Sequence, residues 1–156
     1  MSHITHPYFG TLDSNAIKED VDVIWEQEVT FQELSTPVEF HLWAAKDQEI
    51  SIERLDLFEQ FIKHFPEKDQ EARQQLKAYL EEDSYYMDFH IEELDLEVGN
   101  DVNSFVAAMQ THRVALWNCL DEDIVVDYMI DPEQSDEILA VRFNIDGSFN
   151  SIDWES

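Results

Sequence analysis

A chain of 156 residues with 36 acidic and 9 basic side chains carries a formal charge of −27 at pH 7 with histidine neutral, which repels phosphate backbones and anionic lipid headgroups and disfavours direct binding of nucleic acid. Hydrophobic residues at 44% and aromatics at 12% exclude a disordered acidic tail, and the length suits one domain over residues 1–156. Cys119, the single cysteine, has no partner for an internal disulfide; with no signal-peptide pattern from Met1 to Gly10 and no membrane-length apolar run, a cytoplasmic protein without membrane association is expected.

Tyr8 and Phe9, ahead of Gly10, read as a brief first strand. From Val21 the pattern alternates, with Val21, Val23, Trp25 and Val29 on one side and Asp22, Glu26 and Glu28 on the other, which predicts a half-buried strand. After the break at Ser35-Thr36-Pro37, Val38, Phe40, Leu42 and Ala44 alternate against Glu39, His41 and Trp43. This second strand is expected to pair with the first and to carry Trp43 on its outer face.

The period then changes from two to 3.6. Ile52, Leu55, Phe58, Ile62 and Phe65 share one stripe, Ser51 is placed as an N-cap, and Ile50 can reach Leu55, so a helix is predicted from Ile52 to His64. Pro66 opens the next helix, whose stripe is Ala72, Leu76, Tyr79 and Leu80, and the two are expected to run antiparallel. From Glu81 to Asp101 there are nine carboxylates and no Lys or Arg, interleaved with Tyr85, Tyr86, Phe89, Ile91, Leu94 and Leu96. A third, partly buried helix ending near Gly99-Asn100 fits this stretch.

A short helix around Phe105 to Met109 precedes a return to strand patterning. Val114 to Leu120 is apolar on both faces and reads as a central strand, whereas Ile124, Val126, Tyr128 and Ile130 alternate with Asp123, Asp127 and Asp131. Leu139, Val141, Phe143 and Ile145 alternate with Arg142 and Asn144, and Asp146-Gly147 signals a two-residue hairpin turn before Phe149 to Trp154. The expected fold is α+β: N-terminal strands and a C-terminal meander in an antiparallel sheet, with helices packed on one face and acidic residues on the other.

Charge is polarised along the chain. Met1 to Ala78 holds 16 acids and 7 bases, Tyr79 to Ser156 holds 20 acids and 2 bases, and Glu81-Glu82-Asp83 and Asp121-Glu122-Asp123 are the densest clusters. With so many carboxylates, a close acidic pair says nothing about glycoside hydrolysis. His3 and His6, spaced for a metal, have no cysteine partner and read as structural, and His90 among Tyr86, Phe89 and Glu93 reads as a packing histidine or, alternatively, as a base paired to Glu93. Asn144 to Gly147 resembles part of a calcium loop but has Arg142 where the first acidic ligand belongs. Glycines at 10, 99 and 147 alone cannot build a phosphate loop, and no cation neighbours Cys119 to activate it. No metal, cofactor or catalytic site is expected. Trp43 and Trp117 stand out as candidate interface aromatics, Trp43 because it falls on the polar side of its strand.

Four short motifs stand in order along the chain: His6-Pro7-Tyr8-Phe9-Gly10; Trp25-Glu26 with Leu42-Trp43-Ala44; Tyr86 with His90-Ile91-Glu92-Glu93-Leu94; and Ile145-Asp146-Gly147 to Glu155-Ser156. Together they resemble the bacterial family catalogued as domain of unknown function 2004, a resemblance that implies a bacterial origin and one intact domain but no activity. In type, a small acidic domain of this kind is also similar to immunity proteins of contact-dependent inhibition and related toxin systems. The functional expectation is therefore a monomeric, non-catalytic immunity protein. It would neutralise a basic toxin, a nuclease being the type this charge suits, by masking its cationic site with Trp43, Asp121, Glu122, Asp123 and Asp127. The alternatives are a DNA mimic that fills the groove of a nucleic-acid enzyme, and a hydrolase using His90 with a carboxylate.

Overall fold

The computed structural model describes residues 3–96, 101–118 and 123–155. Alternation of apolar and polar residues yields six strands of one sheet: β3 (Val21–Val29), β4 (Val38–Ala45), β5 (Gln110–Trp117), β6 (Ile124–Met129), β7 (Ile138–Phe143) and β8 (Phe149–Glu155), hydrogen-bonded in that order. A separate hairpin, β1 (His3–His6) with β2 (Gly10–Asp13), precedes them. The 3.6-residue period yields α1 (Ile52–Lys63) and α2 (Phe65–Glu82), followed by α3 (Tyr85–Asp88), a π-helical turn over Phe89–Glu93, and α4 (Val102–Ala108). Among the described residues, the four α-helices and the π-helical turn fall between β4 and β5, and a 3-10 turn over Ser14–Ala16 lies between β2 and β3. The fold is α+β with a largely antiparallel sheet, as the patterning predicts.

One pair departs from antiparallel order. β4 and β5 run parallel, Phe40 beside Val114 and Trp43 beside Trp117, because a chain that leaves β4 through the helical segment can return in the same direction. Phe40 and Leu42 of β4, Val114 and Leu116 of β5, Val126 and Tyr128 of β6, and Leu139 and Val141 of β7 face the helices. They join Leu55, Phe58, Phe61, Ile62, Phe65, Ala72, Leu76, Phe105 and Val106 in one core, to which Phe9 and Leu12 of the N-terminal hairpin also belong.

Several expectations are corrected. Tyr8 and Phe9 are the turn of the β1–β2 hairpin, not a strand, and their rings pack on Trp25. A β-bulge between Val23 and Trp25 shifts the phase of β3, so Val21 and Val23 lie on the opposite face from Trp25 and Val29. Only His64 separates α1 from α2, fewer than the roughly 2–5 residues an antiparallel helical hairpin needs, so the helices meet at a bend. The acidic third helix is one turn of α3 that widens into the π-helical turn and stops by Leu94; the expected stop at Gly99-Asn100 lies outside the described residues. At the β7–β8 turn, Gly147 N–H donates to the Asn144 carbonyl and Asn144 N–H to the Ser148 carbonyl, which makes a three-residue loop with Gly147 at φ 87° in place of the two-residue turn.

Ser51 caps α1 as expected, its Oγ accepting from the Arg54 N–H, and Asp101 caps α4 in the same way through Ser104 N–H. A cluster of buried Asp69 and Tyr128 with half-buried Arg73 locks α2 to the sheet. Tyr128 Oη donates to Asp69 Oδ1 at 2.6 Å, Arg73 Nε donates to Asp69 Oδ2 at 3.0 Å, and Arg73 Nη1 reaches the Val106 and Met109 carbonyls at the end of α4. Burial beside the Asp69 carboxylate holds the Tyr128 phenol far above its ordinary range, so it stays protonated and able to donate.

Candidate interaction face

Residues that alternate away from the core form a sheet face that the core helices leave uncovered. On β4 these are Glu39, His41, Trp43 and Ala45; on β5, Arg113, Ala115 and Trp117; on β6, Val125 and Asp127; on β7, Ala140 and Arg142. The parallel register sets Trp43 beside Trp117, and their rings stack with centroids 5.0 Å apart and planes 16° from parallel. Trp43, Trp117, Arg113, Asp127, Arg142 and Glu155 line a depression of about 200 Å³ with Ala115 and Val125 among its apolar lining. A second depression of about 340 Å³ shares Val125 and Arg142 and extends toward Asn144, Asn150 and Asp153.

Charges on this face are arranged in local pairs. Arg142 Nε donates to Asp153 Oδ2 at 2.6 Å and Nη2 to Glu155 Oε2 at 3.0 Å, and Arg113 stands directly across from Asp127 in the β5–β6 register. His41 lies 2.7 Å through Nε2 from Glu39 Oε1, and that hydrogen bond is the main cause holding the Glu39 carboxyl below its ordinary range, with the Arg113 charge adding to it. Among the described residues, Trp117 Nε1 and Arg113 Nε are buried without a hydrogen-bond partner. Each such orphan donor costs about 1–3 kcal/mol, a local debt concentrated at this face.

The expected contact residues separate into three groups. Trp43 and Asp127 both line the smaller depression and are half-buried. Asp123 lines the neighbouring one, but its carboxylate is engaged within the fold: Oδ1 accepts from Arg54 Nη2 at 2.7 Å and Oδ2 from the Ile145 N–H at 2.9 Å. Arg54 also donates to the Trp117 carbonyl, so this ion pair ties α1 to the β5–β6 connection. Asp121 and Glu122, with Cys119, lie outside the described residues. The face is also less acidic than expected, since Val125 and Met129 are buried there and Arg113 and Arg142 cross it.

Two histidines are occupied structurally. His90 is 0% exposed; its Nδ1 must donate to the Tyr86 carbonyl at 2.7 Å, which leaves Nε2 to accept from Ser135 Oγ at 2.7 Å. Burial lowers its pKa, so the ring is neutral, and neither nitrogen faces Glu93. The catalytic pairing entertained for His90 is thus not formed. His6 is likewise buried, its Nδ1 accepting from the Tyr8 and Phe9 N–H groups and its Nε2 therefore carrying the proton toward Asp56 Oδ1 at 2.7 Å.

Among the described residues no helix is long and apolar enough to cross a membrane. Compared with family models, curated proteins and solved structures, the chain matches none of them.

Proposed function

We propose that this protein is a non-catalytic binding protein that inhibits a basic partner by covering its cationic site, as an immunity protein does for a toxin such as a nuclease, and that the uncovered sheet face is where it binds. The observation that carries the reading is the stacked Trp43–Trp117 pair on a sheet face bordered by Glu26, Glu28, Asp127, Asp153 and Glu155. Tryptophan at the centre of a patch is the side chain most often responsible for binding energy, because it buries a large area at little entropic cost. A charge of −27 supplies the complementary long-range term, raising encounter with a cationic protein by about 10 to 1,000-fold at low salt. Membership in domain of unknown function 2004, action in the cytoplasm and a monomeric state belong to the same proposal.

The test is affinity capture of the tagged protein from its native cell, read together with the adjacent gene. Recovery of a basic protein encoded next door is the expected result; no basic protein captured and no toxin domain in the neighbouring gene sinks the reading. With the partner in hand, Trp43→Ala is expected to weaken binding at least tenfold through a faster off-rate, and Asp127→Lys to slow association and flatten its salt dependence. Binding unchanged by both substitutions places the interface elsewhere.

A further inference from the structure

We propose that Glu26, Glu39 and His41 form a binding site for a single divalent transition-metal ion of the zinc type. Strand geometry brings them together: Glu39 and His41 are two residues apart on β4 and point to the same face, and Glu26 on β3 is the direct cross-strand neighbour of His41. His41 Nε2 is 2.7 Å from Glu39 Oε1 and 3.8 Å from Glu26 Oε2, and the three donor atoms all lie within 4.8 Å of one another. Ligand atoms around a tetrahedral ion with bonds of roughly 2.1 Å sit about 3.4 Å apart, so adjustments of about 1 Å or less in two exposed glutamates complete the set. His41 is 8% exposed, so the imidazole is already held in place while its Nε2 faces the carboxylates. One imidazole and two carboxylates suit zinc and its neighbours in the first transition row better than magnesium or calcium, which take oxygen ligands.

The second trio of this composition, His6 with Asp56 and Glu59, provides an internal contrast. There Nδ1 accepts from two backbone N–H groups, so Nε2 must keep its proton, and coordination through it would require an imidazolate. Among the described contacts no backbone donor is directed at His41 Nδ1, so that ring can carry its proton on Nδ1 and offer Nε2 to a metal. The Arg113 charge acts on Glu39 and opposes a divalent ion, but the site offers two carboxylates against one guanidinium.

Zinc titration of the purified full chain by calorimetry, in a large excess of magnesium to suppress diffuse binding to the other carboxylates, reads the site without any partner. The expected result is one zinc ion per chain, weakened at least tenfold by His41→Gln and by Glu26→Gln and unchanged by Asp56→Asn. Glu26 lies exposed on the edge strand, so its variant tests the site even where His41→Gln disturbs folding. No saturable binding above the magnesium-competed background, or binding that survives both Glu26→Gln and His41→Gln, overturns the proposal and leaves the trio a hydrogen-bonded surface cluster.

Discussion

His90 couples stability to pH through its surroundings. The native ring is held neutral by burial, whereas in the unfolded chain it titrates near the ordinary value of about 6.5. Below that value the unfolded state takes up a proton that the native state does not, so the contribution is fully present above about pH 6.5 and is lost as pH falls toward the lowered native value. Melting temperatures measured from about pH 7.5 to 5.5 should therefore fall more steeply for the wild type than for His90→Asn, whatever the absolute cost of the substitution. Parallel profiles would assign the slope to another group. Asp69 illustrates what a sequence conceals at this scale. It is one of 36 acidic residues, and only the approach of Tyr128 and Arg73 distinguishes it from solvated neighbours.

The β7–β8 turn is an element whose shape depends on one residue. Gly147 adopts φ 87°, and a Cβ there would lie 3.0 Å from Lys68 Nζ, whose ammonium donates to the Gly147 carbonyl. Gly147→Ala is expected to destabilise the fold by about 1–2 kcal/mol, from the left-handed conformation and the displaced lysine, read as a lower urea midpoint with unchanged slope. An unchanged midpoint would mean that the turn relaxes freely. Elements of this kind were legible wherever pattern and local chemistry coincide: the alternation of β4 and β6 to β8, the Ser51 cap of α1, and Pro66 at the start of α2. The bulge in β3 was not, because a single extra residue reverses facing while leaving the apolar spacing intact. The Trp43 side of the candidate face followed from alternation, but its pairing with Trp117 depends on a parallel register that no local pattern encodes. Asp123 read as solvated for the same reason, since Arg54 reaches it from a helix far away in sequence.

For the molecule as a whole, −27 is a self-repulsion spread over a surface of 8620 Å². Added salt shortens the screening length from about 30 Å at 0.01 M to about 10 Å at 0.1 M, so the thermal midpoint should rise with sodium chloride across that range. A falling midpoint would show that the paired charges, such as Arg54 with Asp123 and Arg142 with Asp153, outweigh the net repulsion. The parallel seam between β4 and β5 has a different consequence, for the order of assembly. The pairs β3–β4, β5–β6, β6–β7 and β7–β8 join strands that follow one another in sequence, whereas the seam joins strands separated by the four α-helices and the π-helical turn. Its closure loses the most chain entropy of any pairing in the sheet, so it is the pairing expected to limit folding speed. Because Trp43 and Trp117 straddle that seam, the proposed binding face comes into existence only when the two arms of the sheet have joined, and a half-folded chain lacks the stacked pair.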